Sequence, residues 1–405
     1  MKKPLRSSRR RVLQLGAALG GGLLSRPEAA RAGEGGPGRL GRPLGPYGER
    51  SPFVKAARFT RVSKTPEAGS SSTPLADTYG ILTPSALHYE RHHAGIPDLD
   101  PARHKLVIQG LVERPLILTM DEIQRLPSRS RIYFVECGGN SGGEWGAQTA
   151  PDVQRSYGLA SCSEWTGVSL ALLLREVGVK PGASWVIAEG ADACRMQRSI
   201  PLAKALDDTL LAYGQNGEPI RPGQGYPLRL VVPGWEGSTH VKWLQRLQVT
   251  DQPYMTRDET SKYSDLMPDG KARIFTFVLG AKSVVTFPSG GQKLSGQGLY
   301  ELTGLAWSGR GRIERVEVTL DGGRSWQDAP LQEPRLPLAF TRFRLPWRWD
   351  GSEVTIASRS TDESGYVQPT KQALIEARGL NSGYHFNGIK MWKVRPDGSV
   401  TNADA

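Results

Sequence analysis

Cysteine is scarce in this chain: three residues in 405, at positions 137, 162 and 194. Their surroundings contain no Cys-x-x-Cys-His, which excludes a covalently attached c-type haem. An odd count leaves at least one thiol outside any bridge, and a Cys162–Cys194 disulfide with Cys137 free is one arrangement the sequence leaves open. Long apolar runs are missing as well. No hydrophobic segment reaches the roughly 18 residues that a membrane-spanning helix needs, so the chain reads as soluble once exported. A regular βαβ rhythm is also absent, and strand and helix patterns mix in a way that suits an α+β protein.

What is abundant is glycine, with 48 residues, which favours tight turns and a β-rich fold over a helical bundle. The length suggests about two to three domains. The formal net charge of +12 is misleading, because residues 1–32 hold eight Lys or Arg and one Glu; twelve less seven leaves +5 for the remainder. Those 32 residues combine Ser8-Arg-Arg-Arg-Val-Leu13, a short apolar stretch from Leu15 to Leu24 and Ala30-Arg-Ala32. This pattern predicts an export signal of the twin-arginine type, which carries folded, cofactor-loaded proteins out of the cytoplasm. The competing reading is a basic tail for nucleic acid. The apolar stretch and the Ala-x-Ala site argue against it, so no nucleic-acid partner is expected and the expected location is periplasmic.

Residues 33–76, rich in Gly, Pro, Ser and charge, read as an arm or linker. Residues 77–255 carry mixed signals: a strand over Leu106–Val112, a capping box Thr119-Met-Asp-Glu122 opening a short helix, a leucine-rich helix over Ser169–Glu176 ended by Gly178, and strands at Trp185–Ala188 and Leu228–Val232. From residue 270 to 405 the helical signals fade. Arg315–Leu320 alternates apolar with polar, Asp321-Gly-Gly323 makes a hairpin turn, and Val354–Ala357 continues the pattern, which together predict a β-sandwich.

The stretch Ile132-Tyr-Phe-Val-Glu-Cys137-Gly-Gly-Asn140 presents a cysteine at the end of a buried strand, beside glycines that let a large ligand approach the sulfur. Such a thiol can be a metal ligand, a nucleophile or a small buried apolar residue. His88, His92 and His93 cluster in His88-Tyr-Glu-Arg-His-His93. A helix would put His88 and His92 on one face, as zinc sites do, but nothing at standard spacing completes such a site; solvated surface is the other plain account. Asp192 is an acceptor in a turn-like Glu189-Gly-Ala-Asp192. Arg229 sits inside an apolar strand, where an unpaired guanidinium is costly, so it meets either a buried anion or a salt-bridge partner. Tyr213, Gln224 and the triplet His240-Val-Lys242 lie in glycine-bearing loops or strand ends.

Taken together, Tyr89–His93, the Cys137 stretch, Tyr213, Arg229 and His240-Val-Lys-Trp243 resemble the sulfite oxidase family of molybdenum enzymes, and within it the sulfane dehydrogenase branch. The resemblance covers most of the chain from about Tyr79. It implies a molybdopterin-binding domain over 77–255 and an immunoglobulin-like dimerisation domain over 270–405, with Gly304–Gly309 and Asp321–Trp326 as signatures of the latter. It implies molybdenum–molybdopterin as cofactor, with Cys137 as the protein ligand to the metal. Tyr89, Glu90, Arg91, His92, His93, Asp192, Gln224, Arg229, His240, Val241 and Lys242 would contact the cofactor. Arg91 and Tyr213 would orient substrate, and His385 is added to them from its position near the C-terminus.

The departures bear on substrate. An arginine five residues after the cysteine is frequent in the family, and here that position is Gly142. Asn381-Ser-Gly-Tyr-His385 lacks a second arginine, and Gln224 stands where histidine is usual. Losing two cations weakens the fit to a small free dianion and suits a sulfur carried on a partner's cysteine, entering through a glycine-widened mouth. Implied partners are a c-type cytochrome subunit that takes the electrons and a sulfur-carrier protein, in a homodimer core or heterotetramer. The alternatives are a free-sulfite dehydrogenase, a reductase running on an S-oxide, and a cofactor-free binding protein built on the sandwich.

Overall fold

The computed structural model describes residues 43–146 and 151–403; the expected export signal lies outside them. The chain divides into Met1–Ala56 and Ala57–Ala405. The described part of the first unit is irregular backbone.

The second unit opens with strands β1 (Phe59–Val62) and β2 (Gly69–Ser72), which pair with each other, and β2 pairs in turn with β3 (Glu90–His92). The expected linker is thus a strand pair in its second half. Its polarity had concealed this, because the side chains that β2 buries are the serines Ser71 and Ser72, beside a main-chain ladder with the histidine segment. His88–His93 is accordingly extended, with no helical face joining His88 to His92.

Five strands follow in a mixed sheet. β4 (Lys105–Gly110) and β5 (Leu116–Thr119) form a hairpin, and α1 (Met120–Gln124) is started by the Thr119–Glu122 capping box. β6 (Ser128–Glu136) pairs along its whole length with β7 (Ala160–Ser169), after the short α2 (Val153–Tyr157). α3 (Leu170–Val177) stops at Gly178, whose φ of 67° suits glycine. β8 (Trp185–Gly190), β9 (Gln197–Pro201), α4 (Leu202–Asp207), β10 (Leu210–Gln215), β11 (Glu218–Pro219), β12 (Arg229–Val231) and β13 (Leu244–Thr250) complete the domain. The sheet orders are β5-β4-β13-β8-β9, in which only β4 and β13 run parallel, and β11-β10-β7-β6 with β12 on β10. Leu106, Ile108, Leu174, Val186, Leu230 and Leu247 fill the core between them.

α5 (Arg257–Ser261) and the hairpin β14 (Ser264–Leu266)–β15 (Ala272–Ile274) lead into a two-layer sandwich. One layer is β16 (Lys282–Phe287), β17 (Gly298–Trp307) and β20 (Thr341–Trp349). The other contains β18 (Ile313–Thr319), β19 (Gln327–Asp328), β21 (Val354–Asp362), β22 (Met391–Val394) and β23 (Val400–Asn402). Trp307, Phe343 and Trp392 are buried between the layers, each worth about 1.5–3 kcal/mol of transfer free energy. The same apolar cluster continues through Phe134, Tyr157, Ala160 and Cys162, so the sandwich and the β6–β7 face share one core. α6 (Lys371–Arg378) precedes a loop that returns to Cys137. No helix among the described residues is long and apolar enough to cross a membrane.

Candidate active site

Alternation along β6 sets up the site. Ile132, Phe134 and Glu136 face the sandwich, while Tyr133, Val135 and Cys137 belong with the cluster of Tyr89, Trp165 and Val231. Glu136, 1% exposed, accepts from Lys282 Nζ at 2.5 Å, Trp307 Nε1 at 2.6 Å and Asn140 Nδ2 at 2.9 Å. The strand end is therefore bolted to the second domain by a buried ion pair. Cys137 N donates to Leu159 O, and Cys137 O closes the turn by accepting from Asn140 N. Gly237 lies so close that a β-carbon there would sit 2.7 Å from Tyr89 Oη and 2.9 Å from Glu136 O. Only glycine permits that approach.

Cys137 opens into a cavity lined by Tyr89–His93, Asp192, Met196, Gln224, Arg229, Gly237, Ser238, His240–Trp243 and Tyr263. Burial pushes its thiol up, against the pull of the Gly139 N–H and of Arg91. Three cations line the cavity: Arg91, Arg229 and Lys242. Arg229 is buried, donates from Nη1 to Gln224 O and Oε1, and lies over the Trp165 ring at 5.0 Å. It meets no carboxylate among the described residues, and its Nε has no partner. Burial lowers it to about 10, so it is still a cation at neutral pH. Lys242 Nζ reaches Arg91 O, Gly223 O and His92 Nδ1 at 3.0–3.2 Å. Burial, then Arg229, bring it down to about 7.

The histidines are neutral donors rather than cations. Burial lowers His88 and His240 to about 3 and His93 to about 4, with Arg229 adding to the first two and Arg91 to the third. His92 accepts from Lys242 at Nδ1, so its Nε2–H faces Glu90 at 3.1 Å. His240 spends both ring nitrogens on backbone, accepting from Val232 N and donating to Trp235 O. Although burial opposes its charge, Glu90 is held at about 2 by His92 and Arg58. Asp192 accepts from Met196 N and the Cys194 thiol, so its carboxylate organises the turn that borders the cavity.

Comparison with known proteins gives this geometry a context. Residues 93–257 match the family described as the oxidoreductase molybdopterin binding domain, and residues 273–391 match the Mo-co oxidoreductase dimerisation domain. The chain is 31% identical over 383 residues to the mitochondrial sulfite oxidase of Drosophila melanogaster, covering 87% of this chain and 66% of that protein. Against the mitochondrial sulfite oxidase of Mus musculus it is 30% identical over 385 residues, covering 84% and 69%. The chain belongs to the sulfite oxidase family. A crystal structure of the sulfane dehydrogenase SoxCD from Paracoccus pantotrophus matches with a TM-score of 0.89 and 45% identity, over 91% of this chain and 96% of that one. An NADH nitrate reductase of Oryza sativa is 34% identical over 337 residues, and the chain spans only 36% of its length.

The cavity fits the family's cofactor on its own evidence. A buried arginine with an unpartnered Nε and no carboxylate among the described residues calls for an anion such as a phosphate. Cys137 is a soft, anionic donor once deprotonated.

Of the residues singled out in the sequence, Tyr89, Glu90, Arg91, His92, His93, Cys137, Asp192, Gln224, Arg229, His240, Val241 and Lys242 line this one cavity. Two others do not. Tyr213 lines a separate depression with Pro101, Met120 and Tyr226. Along β10, Leu210 and Ala212 point to the Cys137 side, and Leu211 and Tyr213 to the opposite core, so strand alternation turns the phenol away. His385 lies outside the lining; its Nε2 bonds Glu236 Oε2 at 3.0 Å and its backbone N–H reaches Gly138 O. It supports the cysteine turn from behind. Gly142 does not line the cavity, and a β-carbon there would be 3.1 Å from Gly383 O, so the returning loop borders this position. The three cysteines are free; Cys162 packs in the shared core and Cys194 donates to Asp192.

Sequence reading missed Tyr263, Ser238, Met196, Glu236 and Arg198. Tyr263 follows α5 in an unremarkable segment, and only the packing of that helix on β9 brings it to the cavity.

Proposed function

We propose that this sulfite oxidase family member is a periplasmic, twin-arginine-exported oxidoreductase that oxidises sulfane sulfur carried on a partner protein's cysteine. It passes the electrons to a c-type cytochrome subunit and assembles through its sandwich domain. The observation that carries the substrate reading is the 45% identity, over nearly the whole chain, to a sulfane dehydrogenase. It is supported by the lack of an arginine at position 142, where the loop 381–385 packs instead.

When bound, the molybdenum–pterin group supplies two-electron oxidation coupled to oxygen transfer. Cys137 would hold the metal through its thiolate, and the raised thiol means that its proton leaves as the metal binds. Arg229 and Lys242 would hold the cofactor's phosphate, with Gln224 fixing the Arg229 fork. Arg91, tied to Gly69 O at 3.2 Å, lends positive charge on the substrate side of the sulfur. Tyr263, kept protonated by burial first and then by the nearby thiol and carboxylate, is a hydrogen-bond donor to the group being oxidised. Tyr89 and Trp243 wall off bulk water.

The test is elemental analysis of exported protein, followed by turnover with cytochrome c as acceptor on free sulfite and on a protein-bound cysteine persulfide. One molybdenum per chain with preference for the persulfide is expected. Preference for free sulfite without any carrier would instead make this a sulfite dehydrogenase, and absence of molybdenum would end the reading.

A further inference from the structure

One buried guanidinium holds two of the residues that line the cavity, Ser238 and Tyr263, without lining the cavity itself. Arg198, the second residue of β9, is fully buried. Its Nη2 donates to Glu236 Oε1 at 2.7 Å, its Nε to Glu259 Oε1 at 3.3 Å, and its Nη1 to Ser238 Oγ. Its guanidinium carbon lies over the Tyr263 ring, 4.7 Å from the centroid. Glu259 is itself fixed, as the third residue of the Thr256 capping box that starts α5 and as acceptor from Ser199 Oγ at 2.9 Å. Glu236 extends the chain with its second oxygen to His385, whose backbone N–H bonds the carbonyl of Gly138, next to Cys137. Tyr384, adjacent to His385, lies 5.2 Å from the Tyr263 ring.

Two carboxylates fix this guanidinium from two directions, so the ring beneath it has little freedom to shift. We propose that Arg198 is a positioning residue: it sets where the Tyr263 hydroxyl stands relative to Cys137, and through Glu236 and His385 it ties that position to the sandwich domain. The inference rests on the reading of Tyr263 as the donor of the site. Lysine keeps the charge here but cannot serve two carboxylates, a hydroxyl and a ring face at once.

The test uses the full-length, cofactor-loaded protein with R198K, Y263F and the double variant, assayed on the persulfide substrate and on sulfite. R198K is expected to lower kcat about tenfold or more, with KM changed less than about twofold and molybdenum content unchanged, because misplacement of a single group costs rate before binding. In the Y263F background the same substitution should change kcat less than about twofold. E259Q, which loosens the guanidinium from the side away from the cavity, serves where R198K folds poorly, and should give a smaller effect that also vanishes in Y263F.

A readout independent of turnover is the ultraviolet resonance Raman signal of Tyr263, obtained as wild type minus Y263F, which R198K or E259Q should shift. An equal fold-loss in both backgrounds, or an unshifted tyrosine signal, overturns the proposal. If the wild type oxidises neither sulfur substrate, the functional reading fails instead, and the Raman comparison still decides the placement of the ring.

Discussion

Replacing Glu136 with glutamine tests how the two domains hold the cysteine strand. Glu136 and Lys282 are 1% and 2% exposed and 2.5 Å apart, and the carboxylate also takes the indole N–H of Trp307 and the amide of Asn140. An amide can serve only part of this set, and it leaves the lysine's charge buried without a counterion. Breaking a buried pair from one side costs about 3–5 kcal/mol; K282M, which strands the carboxylate, should cost a similar amount. The double variant E136Q/K282M buries no lone charge and should be more stable than either single variant, with a coupling of about 2–3 kcal/mol. Equilibrium denaturation in urea, followed by tryptophan fluorescence with Trp307 as a reporter at the contact, measures all four corners of the cycle. Additive losses, or a single-variant cost below about 1 kcal/mol, would refute the reasoning that this pair is a dry, coupled strut.

Three further outcomes follow from the site. R229M should lower molybdopterin retention several-fold while raising the melting temperature of cofactor-free protein, because it removes an unpaired buried charge; loss of both would make Arg229 a structural residue. Lys242, lowered to about 7 in the folded state against an ordinary value near 10.4, leaves the unfolded chain holding the extra proton between those values. Stability of the cofactor-free protein should therefore rise with pH from about 7 towards 10, by up to about 1.4 kcal/mol per unit, and K242M should flatten that slope in thermal melts. Y213F should leave kcat and KM within about twofold of wild type, since the phenol faces away from the cavity; a tenfold loss would contradict that orientation.

The sequence on its own determined the features that depend on local chemistry. The run Ile132–Val135 could only be a buried strand, Thr119–Glu122 a helix start, and Gly178 a helix stop. An arginine inside Leu228–Val232 had to meet something unusual, and it meets no carboxylate among the described residues. Segments spaced 150 residues apart, from Tyr89 to Lys242, could be grouped as one site because their chemistry and resemblance agreed, and they line one cavity. Tertiary structure decided what depends on direction and on contacts between distant segments. The sequence reading singled out Tyr213 and passed over Tyr263, and that difference rests on the alternation of β10 and on how α5 packs against β9. Likewise Glu136 meets Lys282 and Trp307, and Glu236 meets His385, only because segments far down the chain from the cysteine fold back onto its strand and turn. A buried charge finds its counterion in space, and nothing in its sequence neighbourhood records where that partner comes from.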